Sequence, residues 1–167
     1  MTLQFSRSKT IGVGQPAPDR FLARAMLEDT AHTMIVETEF RLPDLEIVAA
    51  RAQMVRVPIE VCTTAAAKMQ AAVGLRVAPG LTATVDQVIG RAGCPHMANL
   101  LLESCHAVIQ ATLGARLQEW RNRTHQPNVD WDALRREWLE HTPMMIDTCL
   151  AYDAEGPLLR RLGVKKS

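Results

Sequence analysis

Hydrophobic and polar positions alternate along the first third of the chain, and the spacing then lengthens to that of helices. Phe21, Ala23, Ala25 and Leu27 alternate with Leu22, Arg24, Met26 and Glu28, the period of a strand. Glu28-Asp29-Thr30 reads as a turn. Met34, Val36, Thr38, Phe40 and Leu42 alternate with Ile35, Glu37, Glu39 and Arg41, a second strand. Pro43-Asp44 suits the central positions of a type I turn, and an apolar-rich third strand runs from Leu45 to Val57 before Pro58. Successive strands joined by short turns predict a three-stranded antiparallel meander.

Ahead of this meander, residues 1–18 carry Gly12, Gly14, Pro16 and Pro18 and read as a flexible arm. Beyond it the pattern turns helical. Cys62 to Ala72 is rich in Ala, with Lys68, Met69 and Gln70 as good helix formers. Gly74 to Gly80 forms a loop, and Thr82 to Ile89 a short helix. Met97, Leu100, Leu101, Ser104 or Cys105, Val108 and Ala111 or Thr112 then follow helical spacing in a long helix from Pro95 to about Arg121. Asn128-Val129-Asp130 caps another, Trp131 to His141, which Pro143 ends. Met144 to Tyr152 is a last apolar helix or turn, and Gly156-Pro157 precedes a short tail. Strands followed by helices predict an α+β fold, with the helical half packed on the meander, as a single domain over residues 19–163.

Composition narrows the partners. Nineteen basic residues face 18 acidic ones, a formal charge of +1, which gives no electrostatic footprint for nucleic acid. The Arg160-Arg161 and Lys165-Lys166 pairs read as solvated. No apolar run reaches the roughly 20 residues that span a bilayer, and the polar N-terminus lacks the apolar stretch of a secretory signal. The expectation is a cytoplasmic protein that binds neither membrane nor nucleic acid. In that compartment four cysteines read as thiols or metal ligands.

The chemistry concentrates at Gly93-Cys94-Pro95-His96. Pro95 suits the first helical position, which puts Cys94 at or next to the N-cap, where the helix dipole favours a thiolate. A thiol beside an imidazole at a helix start can be a metal ligand, a nucleophile or an ordinary capping segment. Cys105 is excluded from any site with Cys94: they stand 11 residues apart, roughly 16 Å along a helix, against Zn–S bonds of about 2.3 Å. Cys105 therefore reads as a small core residue. Cys62, Cys94 and Cys149 each fall at an element boundary or in an apolar end segment. With His96 they would complete a tetrahedral site for zinc, or hold an iron–sulfur cluster. Asp147 reads as a cap, with a fourth ligand or a partner of His96 as the alternatives. His32 reads as a surface residue, and Glu37 and Glu39 as the wet face of a sheet. There is no phosphate loop, dinucleotide fingerprint or Ser/His/Asp arrangement.

Three stretches carry a resemblance: Met54-Val55-Arg56-Val57-Pro58 followed by Cys62; Val73 to Gly80 followed by Gly93-Cys94-Pro95-His96-Met97; and Asp147-Thr148-Cys149 with Ala151. Over about residues 20–160 the chain resembles a bacterial domain-of-unknown-function family with a Gly-Leu-Arg-x-x-Pro-Gly loop and a Gly-Cys-Thr-His-Leu helix start. Pro95 and Met97 stand where that family usually has Thr and Leu. The resemblance implies that Cys62, Cys94, His96 and Cys149 are the positions to watch. The order of sheet, helices and three spread cysteines is also similar to iron–sulfur scaffold proteins, a likeness of architecture alone.

Three functions follow as expectations. The first is a small metal-binding protein with Cys62, Cys94, His96 and Cys149 as ligands of zinc or an iron–sulfur cluster. The second is a metal- or thiolate-dependent enzyme on a small organic substrate, with Cys94 as nucleophile or ligand, His96 as base, and Arg76 as a clamp for an anionic group. The third is a non-catalytic interaction protein that buries a sheet edge or its Met- and Leu-rich helices against a partner protein or another copy.

Overall fold

The computed structural model describes residues 3–125 and 128–165, so Lys166 of the basic tail lies outside the described residues. The chain is α+β and opens on an antiparallel sheet of strand order β1-β2-β3-β4. The strands are β1 (Arg7–Ala17), β2 (Arg20–Asp29), β3 (Thr33–Arg41) and β4 (Glu46–Arg56). The sheet thus has four strands where the alternation predicts three. The added strand is β1, cut from the arm that the turn formers suggest. Its odd residues pair with the core-facing residues of β2, Ile11 with Ala25 and Val13 with Ala23. Pro16 is accommodated because β1 is an edge strand and its register shifts between Gly14 and Ala17.

Period two does the rest. Phe21, Ala23, Ala25 and Leu27 are buried and stand opposite Phe40, Thr38, Val36 and Met34 of β3. A shift between Glu39 and Phe40 lets both Ile47 and Ala50 of β4 join that buried face. On the other face Glu37 meets Arg24 at 3.3 Å and Arg51 at 2.6 Å, and Glu39 meets Arg20 at 3.2 Å, the solvated pairing expected there. The turn at Pro43-Asp44 carries a cis Leu42–Pro43 peptide.

The remaining elements are a 3₁₀ helix (Glu60–Ala72), α1 (Leu81–Val85) running into a π-helical turn (Asp86–Arg91), α2 (Pro95–Thr124), α3 (Trp131–His141), two 3₁₀ turns (Pro143–Met145 and Leu150–Tyr152) and α4 (Pro157–Leu162). The tail after Gly156 is thus in part a helix, opened by Pro157 at a first-turn position. The 3₁₀ helix lies against β4, where Gln70 donates to the Ala50 carbonyl at 2.8 Å. The following loop covers the start of the β4 edge: Ile47 and Leu75, and Gly74 and Ile47, exchange backbone bonds of 2.8 Å. Gly74 and Gly80 sit at φ 89° and 90°, a backbone region that side chains disfavour. That requirement accounts for the two glycines of the loop motif.

The chain divides into two compact units, Met1–Val108 and Ile109–Ser167. The first holds the sheet and the beginning of α2, where Met97, Leu100, Leu101, Cys105 and Val108 are buried. In the second, the Trp138 indole donates to Thr112 at 2.7 Å and stands 5.8 Å from the Tyr152 ring, while Arg136 donates to the Leu162 carbonyl. Among the described residues no helix is long and apolar enough to cross a membrane.

Candidate functional site

The alternation that builds the core also builds the site. The buried series of β2 ends on Asp29, whose side chain has no exposed surface. Register places Arg7 of β1 directly opposite Asp29 and Lys9 opposite Leu27, so both cations lie on the core-facing side of the sheet at its end. A carboxylate buried there must be fully bonded, and it is. Asp29 accepts from the backbone N–H groups of Ala31 at 2.8 Å and His32 at 2.7 Å, from Arg7 Nε at 2.9 Å and Nη2 at 2.6 Å, and from His32 Nδ1 at 3.0 Å. Burial pushes its pKa up, but the bonds from Ala31, Arg7 and His32 outweigh that and hold Asp29 well below the usual carboxylate range. Arg56 braces the same turn through the Asp29 carbonyl at 2.7 Å.

The start of α2 comes to this end of the sheet. Cys94 accepts the first helical bond, from Ala98 N–H at 3.1 Å, and is therefore the N-cap, with Pro95 as the first helical residue. Gly93 is required by space: a Cβ there would stand 3.0 Å from the Ile89 carbonyl oxygen and from Lys68 Cγ. Lys9 reaches both Asn99 and Glu103 of α2. One turn nearer the helix start, Arg7 Nη2 lies 3.1 Å from His96 Nε2. The His32 and His96 rings are in contact, with centroids 4.5 Å apart and planes tilted by 51°. On its other side His96 presents Nδ1 to Cys94 Sγ at 4.0 Å. His96 is held below the ordinary histidine pKa by desolvation first, then by His32, Arg7 and Lys9, against an opposing pull from Asp29.

Of the residues singled out from the sequence, Cys94 and His96 are brought together. Cys62 lies half-buried in the 3₁₀ helix of the first unit. Cys149 is exposed in the second unit, in a turn where Asp147 accepts from Ala154 N–H at 2.9 Å. Among the described residues, no three His, Cys, Asp or Glu side chains are grouped so as to hold a metal ion. Arg76 lies at the opposite end of the sheet, with Nε and Nη2 both on Glu46 at 3.1 and 2.9 Å. Cys105 is a core residue whose thiol burial pushes up to about 12. The pattern reading misses Arg7, Asp29 and His32. His32 is half-buried against Asp29 and His96, and so differs from the surface residue expected. The one local signal is the Asp29-Thr30-Ala31-His32 sequence, whose Asp side chain caps its own turn.

No curated protein and no solved structure matches the chain. One family does match, over residues 15–110, a span that holds Asp29, His32, Cys62, Arg76, Cys94 and His96 and leaves Arg7 and Cys149 outside. With more than half of its 167 residues covered, the chain belongs to the family described as protein of unknown function (DUF2889).

Proposed function

We propose that the protein is a thiol enzyme acting on the electrophilic carbon of a small organic substrate, with the Cys94 sulfur as nucleophile and His96 as its imidazole partner. The observation that carries this reading is the 4.0 Å approach of Cys94 Sγ to His96 Nδ1, in a ring whose other nitrogen meets Arg7. A cysteine nucleophile is activated by neighbouring groups that favour its thiolate form, and an imidazole that a third group orients stands beside this one. The sulfur lone pair would form the bond to carbon, and the leaving group would depart with its electron pair.

The test is acetyl transfer from p-nitrophenyl acetate to the full-length protein, followed by mass spectrometry of its peptides. The expected result is one acetyl group on Cys94, released p-nitrophenolate, and loss of both in Cys94→Ser. Exposed Cys149 and half-buried Cys62 serve as internal controls. Acetylation of Cys149 with Cys94 untouched would overturn the reading.

The metal-holding alternative, zinc or an iron–sulfur cluster with Cys94 and His96 among its ligands, has one observation in favour. A sulfur and a nitrogen 4.0 Å apart lie only a few tenths of an ångström outside the separation of about 3.6 Å that tetrahedral arms of about 2.3 and 2.0–2.1 Å require. Against it, metal-bound imidazoles hand their outer N–H to an acceptor, whereas the group at the outer nitrogen of His96 is an arginine. Stoichiometric metal in protein purified without oxygen, lost in Cys94→Ala, is the result that would establish this alternative in place of the thiol reading.

A further inference from the structure

The contacts of His96 determine where its proton sits. A guanidinium carries donors only, and Arg7 Nη2 lies 3.1 Å from His96 Nε2. That nitrogen must present its lone pair to the arginine. The single proton of the neutral ring is then left on Nδ1, which faces Cys94 Sγ. Arg7 is itself held in place by its two bonds to Asp29 at 2.9 and 2.6 Å. The same carboxylate fixes His32, whose ring lies against that of His96 at a tilt of 51°.

We infer that Arg7 and Asp29 are positioning residues that lock His96 in its Nδ1–H form, so that the imidazole donates a hydrogen bond to the Cys94 sulfur and does not take its proton. The inference deepens the thiol reading and rests on it for its catalytic meaning. The proton balance is simple. The thiol releases its proton to water, the sulfur bonds to the electrophilic carbon, the leaving group departs with its electron pair, and the Nδ1 proton stays on His96 throughout. Arg7 lies ahead of the family match over residues 15–110, so this support comes from the part of β1 that precedes the match.

The experiment is nitrogen NMR of the histidine rings in the full-length protein, beside Arg7→Met and Arg7→Lys, with the rate of Cys94 alkylation by iodoacetamide measured on the same samples. Arg7→Met keeps an unbranched stem and removes the guanidinium with its donors. Arg7→Lys keeps a cationic donor. The expected result is an Nδ1–H ring at His96 in the native protein and an Nε2–H ring in Arg7→Met. Alkylation in that variant should slow about tenfold, the worth of one hydrogen bond, and Arg7→Lys should restore both readouts in part. Asp29 keeps its Ala31 and His32 bonds in both variants, and thermal melting checks that the fold survives. An Nε2–H ring in the native protein, or the same ring form in Arg7→Met as in the native protein, would overturn the inference. The expected ring forms together with a Cys94 that no acetyl donor modifies would overturn the thiol reading alone.

Discussion

Two arginine–carboxylate networks stand at opposite ends of one sheet and do different work. At one end Asp29, with a fully covered side chain, gathers Arg7, two backbone N–H groups and His32. At the other, Arg41 bonds Asp44 at 2.7 Å and Glu46 at 2.8 Å, and Arg76 joins Glu46 at 2.9 Å. Those carboxylates keep 30% and 21% of their side-chain surface and the arginines 37% and 59%. The chemical groups are the same, and both Asp29 and Asp44 are held below the usual carboxylate range, Asp44 by the Arg41 hydrogen bond first. The difference is burial and what lies next along the network. The covered end continues through Arg7 to His96 and Cys94. The open end closes on itself in solvent, where ion pairs contribute little.

Removing one carboxylate from each end is the strongest way to test that contrast. Asp29→Ala strands an arginine, two amides and an imidazole without their acceptor, and the expected fall in melting temperature is on the order of 10 °C. Asp44→Ala leaves Arg41 its Glu46 partner and should move the midpoint by about 1 °C or less. Equal falls at the two ends would erase the distinction.

The arginines offer the next largest contrast, read at Cys94. The two ends are separated by the length of β2, about 30 Å for a strand of this size. Arg76→Met should therefore leave the iodoacetamide reaction of Cys94 within about twofold of native, while Arg7→Met slows it. A loss in Arg76→Met as large as in Arg7→Met would return Arg76 to the substrate-clamping role considered from the sequence.

How far the sequence discloses all this depends on range. Strands β2 to β4 are legible because period two is written in consecutive residues, and α3 is legible because Asp130 caps it, accepting from Ala133 N–H at 3.0 Å, and Pro143 follows it. Strand β1 is obscured by Gly12, Gly14 and Pro16, which read as turn formers until pairing with β2 satisfies the backbone around them. Cys94 and His96 are visible as a pair because a single residue, Pro95, separates them. Arg7 meets His96 across 89 positions, and no local pattern records such a contact. What could have been read is parity: Arg7, Lys9, Ile11 and Val13 share one face, a mixed series that places two cations beside the core.

A smaller and opposite effect is expected between the two ends. Thr38 sits on the buried face of β3, and its hydroxyl is without a hydrogen-bond partner among the described residues. Thr38→Val preserves shape and removes a buried polar group, so it should stabilise the protein by about 1 kcal/mol in chemical denaturation. Because the site rests on the Asp29 end and not on this position, Cys94 alkylation should be unchanged. A destabilised Thr38→Val would show that the hydroxyl is bonded in solution.

The smallest expected effect separates the two ends by pH. His96 has a lowered pKa in the folded protein, so as pH falls through about 6.5 the unfolded chain takes up a proton that folded His96 refuses. The unfolded state then binds more protons, and stability declines; above that pH the contribution is complete. The lowered carboxylates, Asp29 and Asp44, contribute fully above the unfolded carboxylate range and lose that contribution only as pH falls below about 4. Between about pH 7 and 5 the covered end therefore responds through His96 while the open end does not. Denaturation midpoints measured across that window should fall modestly in the native protein and fall less in His96→Gln, whereas Asp44→Asn should keep the native slope. The order of the two variants decides the matter: if Asp44→Asn flattened the slope and His96→Gln did not, the pH response would belong to the open end, and the charge environment assigned to His96 would be wrong.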